Sequence, residues 1–374
     1  MAKHRKFSVD RFLDKFEGQE PLLRVYVAKW QGRLRVSPES LDVSGFKKFL
    51  VEGNGEAKDE LVEGLYRVYD LCTERGHEDL VASCRDFDYE PDPEAKLPVE
   101  CLSLKVLTEN EDAFNLAYDR NRLWQADRFA IYRGKAKTQI SDVSSAAGRF
   151  HAKLAEMFKE DKKSDRVVVR HYQEGSYTNF IVYHEKRTKA ELTLKGTGAQ
   201  TRVSPTIFRP AQQDFVSYNH QTGQVEVEAR FEKEDASLRR AFAECCLGDK
   251  EFFEGPDAGN RIKLSVIADE AFDMPVGEGD AAVLTAIHFK LDKTTHKPAL
   301  VVRSRNVLDT LKRMRLYGYL KTATIDSAVF RITFPDDRRG KRVEVAGTNR
   351  VKFRRTTHAE DVFRYLKNWG VLLG

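Results

Sequence analysis

The stretch "RRGKRVEVAGTNRVKFRR", residues 338–355, has eight Arg or Lys residues among its eighteen positions and a single acid, Glu344. Apolar and polar residues alternate along it, as they do in β-strands with one buried face. The residues predicted to face the core are Val343, Val345, Val351 and Phe353. The same alternation sends the interleaved cations to the opposite face. The stretch therefore predicts a β-hairpin with one basic side.

The flanking sequence places this hairpin in a compact αβββα unit that covers residues 296–374. "SAVFRITF" (327–334) predicts a strand before the hairpin. Asn306 is a suitable N-cap for a helix in "VLDTLKRMRLYG". A second helix is predicted in "HAEDVFRYLKNWG", after the hairpin. The C-terminal unit is thus predicted to pack its helices against one side of a small sheet.

The remaining sequence predicts an α+β fold for the whole chain. We expect a mostly helical N-terminal region (1–137) and a β-rich middle with packed helices (138–295) ahead of the basic αβββα C-terminal unit. The middle region includes "DFVSYNHQTGQVEVEARF" (214–231), which predicts a hairpin with its glutamates in water and its Val, Ala and Phe residues buried. It also includes "RIKLSVIA" (261–268), which predicts a strand.

Charge is distributed unevenly along the chain. From Lys297 to the end there are 18 basic and 7 acidic residues, whereas the preceding residues include 45 basic and 51 acidic ones. Such an asymmetry indicates a localised binding site for an anion, most commonly nucleic acid.

Several classes of protein are disfavoured by the sequence. The five cysteines show no CxxC spacing, which argues against a disulfide framework or zinc site and favours a cytoplasmic location. No apolar run approaches the ~18 residues of a membrane span, so no membrane partner is expected. The GxG segments at 53–58 and 196–201 complete no phosphate-binding motif. We expect no cofactor, no metal and no catalytic residue.

One enzymatic alternative stays open, a metal-dependent nuclease. Asp214, Glu226 and Glu228 are predicted to lie on adjacent strands, where paired carboxylates could hold a divalent cation. The lysine that commonly accompanies such carboxylates is missing, because Arg230 occupies its position. The glutamates also alternate with apolar residues, as on an ordinary wet sheet face.

The favoured hypothesis is a non-catalytic protein that binds or senses nucleic acid, either DNA or RNA. It would belong to a prokaryote-type cytosolic multi-protein system, with other protein subunits as further partners. A protein–protein scaffold whose basic face docks an acidic partner is the other alternative. Tyr317, Tyr319 and Tyr365 could stack on bases, although half-buried packing is the favoured interpretation of these residues. The residues predicted to contact phosphates are Arg313, Arg315, Arg331, Arg338, Arg339, Lys341, Arg342, Arg350, Lys352, Arg354 and Arg355.

Overall fold

The computed structural model describes residues 7–29, 42–52, 56–92, 96–161, 164–195, 200–255, 257–291, 296, 298–354 and 358–374. The chain divides into two compact units, Met1–Gln125 and Ala126–Gly374. The first unit has 19 basic and 25 acidic residues, and the second has 44 basic and 33 acidic. The division of the chain thus coincides with a change in the sign of its charge.

The first unit is helical throughout its described elements. Leu61, Leu65 and Val68 lie one helical turn apart and are fully buried, as the 3.6-residue period of an amphipathic helix requires. Thr73 caps the next helix by accepting a hydrogen bond from the Gly76 amide at 3.0 Å. The helices are α1 Val9–Leu13, α2 Glu20–Ala28, α3 Val43–Glu52, α4 Glu56–Leu71, α5 Glu74–Asp86, α6 Val99–Glu109 and α7 Glu111–Gln125.

The second unit combines antiparallel strands with five helices among its described residues. The strands are β1 Arg128–Arg133, β2 Val167–Glu174, β3 Tyr177–Glu185, β4 Lys189–Lys195, β5 Arg202–Phe208, β6 Ala211–Asn219, β7 Gln224–Glu228, β8 Ala281–Lys290, β9 Ala299–Arg303, β10 Thr324–Phe334, β11 Asp337–Ala346 and β12 Arg350–Lys352. The helices are α8 Val143–Glu160, α9 Glu232–Leu247, α10 Val307–Arg313, α11 Tyr317–Leu320 and α12 Ala359–Asn368.

Ten of these strands form one sheet in the order β2-β3-β6-β7-β1-β12-β11-β10-β8-β9, and β4 pairs only with β5. We call the side of the ten-stranded sheet that carries Ala130 and Arg350 the front face, and the other side the back face. These two residues are partners in the register of β1 with β12. Val227 of β7 also pairs with Ala130, so it lies on the front face.

Helices cover opposite faces of the two halves of this sheet. On the β2, β3, β6 and β7 half, Val227 packs with Leu238 and Phe242 of α9, so α9 lies on the front face. On the β8 to β12 half, Val351 and Phe330 pack with residues of α10, α11 and α12 on the back face. On the front of that second half Arg331 and Arg342 are exposed, whereas Val329 and Ala286 between the strands are buried.

The predicted α+β fold and the C-terminal αβββα order are confirmed. The four residues predicted to face the core of the C-terminal hairpin are at most 2% exposed. Gly347, in the turn between β11 and β12, has a φ of +59°, a conformation that glycine adopts without steric cost. The sheet draws strands from all three predicted segments, since β1 precedes residue 137 and β12 follows residue 296.

Three local predictions are wrong. "RIKLSVIA" forms a 3-10 helix over Leu264–Ala268, and Ile262 makes only an isolated bridge to Leu372. Phe231 is 56% exposed because β7 ends at Glu228 and Phe231 is the residue before α9. Glu226, predicted to lie in water, is only 6% exposed on the back face, where it pairs in register with Ser217 and Ile131.

Phe242 of α9 belongs to a buried aromatic cluster, so we expect its removal to lower the stability of the fold. The Phe242 ring lies 5.4 Å from the Phe180 ring and 5.7 Å from the Tyr218 ring, centroid to centroid, and is fully buried. Phe242→Ala should lower the free energy of unfolding by about 3–5 kcal/mol in urea titrations, because it removes contacts and leaves a cavity. The matched change at exposed Phe231 should cost no more than about 0.5 kcal/mol. Equal losses would contradict this assignment of the core.

Candidate functional site

The front face of β8, β9, β10 and β11 forms a concave groove with a volume of about 630 Å³. The register of β10 with β8 shifts between Ile325 and Ser327 and again between Val329 and Phe330. Such bulges bend and twist strands, which gives the groove its curvature. The groove is lined by Val283, Thr285, Ala286, His288, Arg303, Ser304, Arg305, Ser327, Val329, Arg331, Arg342 and Glu344.

Four arginines and one acid line this groove. Arg331 of β10 lies directly opposite Arg342 of β11 in the strand register. Arg303 lies at the end of β9, where it pairs in register with Ala286, and Arg305 follows two residues later. All four arginines are exposed. We call Arg303, Arg305, Arg331 and Arg342 the groove arginines.

Like charges face one another in the groove. Directly opposed like charges destabilise a strand pair. Arg342 Nη2 lies 3.0 Å from Glu344 Oε2, so one arginine has a carboxylate partner on its own strand. Among the described residues that line the groove, Glu344 is the only acidic one. A bound anion would relieve the repulsion, and the planar guanidinium fork matches phosphate oxygens well.

The basic surface continues across β12 to β1, where nearby acids partly neutralise it. Lys352 pairs in register with Glu344 on one side and with Arg128 on the other. Its Nζ lies 3.9 Å from Asp127 Oδ2. Arg350 Nη2 lies 2.5 Å from Oε1 of Glu232, the first residue of α9. α9 therefore borders the basic face and supplies acids to it.

Two further predicted residues differ in their surroundings. Arg354 is exposed just after β12. Lys341 alternates with Arg342 along β11 and so lies on the back side, where it is only 9% exposed and 3.9 Å from Asp337. Burial lowers the pKa of Lys341, and the nearby Asp337 opposes that shift. The structure thus separates Lys341 from the groove arginines.

The other predicted cations do not join the groove. Arg313 pairs with Asp309 at 2.9 Å on α10, whose buried side packs against the back of the sheet. Arg315 is exposed beyond the end of that helix. Arg338 and Arg339 lie in β11, but their side chains are outside what the structure describes, and Arg355 is outside the described residues altogether.

The three tyrosines near the hairpin agree with the favoured prediction of packing better than with base stacking. Tyr317 is 7% exposed and Tyr365 is 3% exposed, and both belong to the core on the back side of the sheet. Tyr319 is 56% exposed, but it lies on α11, another helix of that back-side layer. None of the described residues that line the groove is aromatic, apart from His288.

Sequence reasoning missed Arg303, Arg305 and Arg128. "ALVVRS" predicts a strand, and the sequence alone places Arg303 near the end of that strand. The missing information was the pairing of β9 with β8 and of β8 with β10, which brings Arg303 to the same face as Arg331. No short-range pattern encodes those pairings.

The structure places the carboxylates of the nuclease alternative on opposite faces of the sheet. Asp214 alternates with Phe215 and faces the front, where its Oδ2 lies 2.8 Å from His184 Nε2. Glu226 and Glu228 pair in register with Ser217 and Phe215, so they face the back. Among the described residues, no group of three or more His, Cys, Asp or Glu side chains is arranged to hold a metal ion. The proposed constellation therefore does not converge.

Asp214 instead belongs to a buried polar cluster beneath α8 and α9. Gln212 Nε2 donates to Asp214 Oδ1 at 2.8 Å and to Glu234 Oε2 at 3.0 Å. The His184 ring stacks on Phe158 of α8 with a centroid distance of 4.2 Å. His184 and Asp214 are each at most 2% exposed, so these contacts satisfy buried groups rather than offer them to a substrate.

Comparison with protein-family models and with curated proteins finds no match for this chain. Within the described part of the chain, no helix combines the length and apolar character needed to cross a lipid bilayer. The two GxG segments fall partly outside the described residues.

The raised pKa of Glu228 predicts how the stability of the fold changes with pH. Burial raises the pKa of its carboxyl group from near 4.5 to about 7, with a further contribution from Asp127, while the Asp127 and Arg128 amides oppose the shift. Between about pH 4.5 and pH 7 the unfolded chain ionises Glu228 first, so this residue destabilises the fold as pH rises. At pH 8, Glu228→Gln should be more stable than the wild type by up to about 3 kcal/mol, at 1.36 kcal/mol per pKa unit.

Urea unfolding at both ends of this range is the measurement. At about pH 4.5 the difference should shrink to a few tenths of a kcal/mol, because the wild-type carboxyl is then protonated in the folded state and about half protonated in the unfolded state. Glu251→Gln, a matched change at an exposed position, should alter stability by no more than about 0.5 kcal/mol at either pH. A Glu228→Gln effect that is independent of pH would contradict the raised pKa.

Proposed function

We propose that this chain is a non-catalytic nucleic-acid-binding protein that grips the phosphate backbone in the groove of the front face. The observation that carries the proposal is the set of groove arginines, with Arg331 directly opposite Arg342 on an exposed sheet face. Phosphate contacts supply most of the affinity of sequence-independent binding.

The composition of the groove favours backbone contacts over stacking on bases. Proteins that hold single strands commonly stack bases on Phe, Tyr or Trp, which are absent from the described lining. The lining instead offers arginines with Ser304, Ser327 and Thr285 between them. Arg and hydroxyl side chains are frequent phosphate ligands.

Arg350 and Lys352 take a secondary role in this proposal. Their partners Glu232 and Asp127 have side chains that are 81% and 49% exposed. Exposed ion pairs typically contribute only about 0.2–1 kcal/mol, so a phosphate could displace either acid at small cost. These two cations would extend the track of the backbone from the groove towards α9.

The proposal includes a cytoplasmic location and a sensing role beside other protein subunits. All five cysteines are free, which fits a reducing compartment. The acidic surplus of the first unit makes it an unsuitable surface for nucleic acid and leaves it available for protein contacts.

Fluorescence anisotropy with labelled single- and double-stranded DNA and RNA tests the proposal. The wild type should bind at ~50 mM salt and weaken steeply by ~200 mM, since each phosphate contact contributes about −0.9 to the log–log salt slope on duplex DNA. The Arg303→Ala/Arg331→Ala/Arg342→Ala variant should flatten that slope by about two to three units and lose most of the affinity.

Two further variants test whether binding depends on the groove rather than on other basic residues. Arg313→Ala/Arg315→Ala removes exposed cations of the α10 region and should change affinity little. Arg350→Ala/Lys352→Ala should weaken binding less than the groove variant does. Absence of binding to all four nucleic acids at low salt, or equal losses in the groove and α10 variants, would overturn the proposal. The first result would favour an acidic protein as the partner of this face.

A further inference from the structure

A two-stranded ribbon extends the hairpin formed by β3 and β6. These strands pair up to Glu185 and Ala211, and the Lys186 amide then donates to the Pro210 carbonyl at 2.8 Å. Beyond this point the chain forms β4 and β5, which pair only with each other over seven residue pairs. The ribbon therefore leaves the ten-stranded sheet on the half opposite to the groove.

One face of the ribbon is entirely apolar and exposed. Alternation along the two strands places six apolar residues on that face, which we call the apolar ribbon face: Ala190, Leu192, Leu194, Val203, Pro205 and Ile207. Leu192 is 76% exposed, Leu194 72%, Val203 65% and Ile207 68%. Single exposed apolar residues are ordinary, but a contiguous patch of this kind marks an interaction surface.

The opposite face of the ribbon is mostly polar and internally bonded, and Phe208, paired in register with Lys189 and 39% exposed, is its large apolar residue. The Thr193 and Thr206 hydroxyls lie 2.7 Å apart across the strands. Lys189 pairs with Glu191 along β4 at 2.5 Å. An isolated two-stranded ribbon is at best marginally stable in water and gains stability when its apolar side is covered.

We propose that the apolar ribbon face packs against the same face of a second copy of this chain. Identical faces meet across a two-fold axis in an isologous contact, the commonest arrangement of homodimers. Leu192 and Pro205 form the middle pair of the seven, so the axis passes near them. Two ribbons would then stack like the sheets of a β-sandwich, about 10 Å apart.

The arrangement of charge favours a protein surface over a polyanion or a lipid bilayer. Lys189, Glu191 and Arg202 alternate with the apolar residues and so lie on the opposite face of the ribbon. Nucleic acid would need cations on the face it contacts. An anionic membrane would likewise be met by cations beside the inserted residues. In the stacked pair the two charged faces point away from each other. The distance between them is about twice the Debye length of ~8 Å, so their repulsion is largely screened.

The size of the face predicts a weak dimer. Seven residues at about 3.3 Å each give a ribbon roughly 23 Å long. A stacked pair buries on the order of 800 Å², which is below the roughly 1,200 Å² of stable specific interfaces and in the range of weak, transient contacts. Dimerisation should accordingly depend on concentration in the micromolar range.

Sedimentation velocity of the full chain, from about 5 to 300 μM, is the first test, since a weak dimer follows mass action. The wild type should shift from monomer to dimer across this range. Leu192→Ser/Val203→Ser should weaken the dimer at least tenfold. Thr193→Ser/Thr206→Ser, on the polar face, should leave it unchanged, and circular dichroism should show native folding in both variants. A wild type that stays monomeric, or a dimer that both variants retain, would overturn the proposal.

Cysteine cross-linking tests the geometry of the contact directly. Under mild oxidation Leu192→Cys should form a covalent dimer across the two-fold axis, whereas Thr193→Cys should behave like the wild type. The wild type sets the background from its own five cysteines, which are buried or half-buried. Equal cross-linking at positions 192 and 193 would contradict face-to-face packing. This inference does not depend on nucleic-acid binding, so either proposal can fail alone.

Discussion

The requirement that a sheet bury its apolar residues governs the second unit, and the unit meets it by covering opposite faces of its two halves. Val227 packs under α9 on the front of one half, and Val351 packs under α12 on the back of the other. β1 lies at the crossover, with Ala130 on the front and Ile131 in the back-side core. The front of the second half therefore needs no helix for stability, and its exposed positions are available to carry arginines without loss of core.

Arginines at these exposed positions lower the stability of the sheet, and a binding function would explain their presence. Arg331 opposite Arg342 is an unfavourable cross-strand pair, and Glu344 offsets only part of the repulsion. The ion pairs of Arg350 with Glu232 and of Lys352 with Asp127 lie at the border with α9 and β1. Charge compensation is thus supplied at the rim and left incomplete in the groove. Arginines that are fully paired with carboxylates must break those ion pairs before they can bind an external anion. Arginines that are only partly paired do not, so this distribution of charge favours anion binding.

The sequence predicted the alternation of buried and exposed residues along single strands correctly. It failed where the pairing between strands decides which residues lie together. Val343, Val345, Val351 and Phe353 were predictable because a two-residue period is a property of the strand itself. Arg303 was not, because it reaches Arg331 only through the order β10-β8-β9. Glu226 looked like a water-facing residue, yet it is only 6% exposed on the back face, beside Ser217 and Ile131. Asp214 and Glu228 looked like partners, but the register places them on opposite faces. "RIKLSVIA" has strand-like composition, but only Ile262 finds a bridging partner, and the segment coils into a 3-10 turn.

The apolar ribbon face and the basic groove lie on different halves of one sheet, so both proposed contacts could form at once. β7, β1 and β12 stand between the strands that carry the ribbon and those that line the groove. Pairing through an apolar face places no new charge near the groove arginines, and an anion in the groove adds none to the ribbon. A dimer would nevertheless tie two grooves together, so a long polyanion that reached both would bind with the product of two modest affinities, limited by how well its length matches their separation. A weak ribbon contact is sufficient for that effect, because the polyanion itself would raise the local concentration of the second copy.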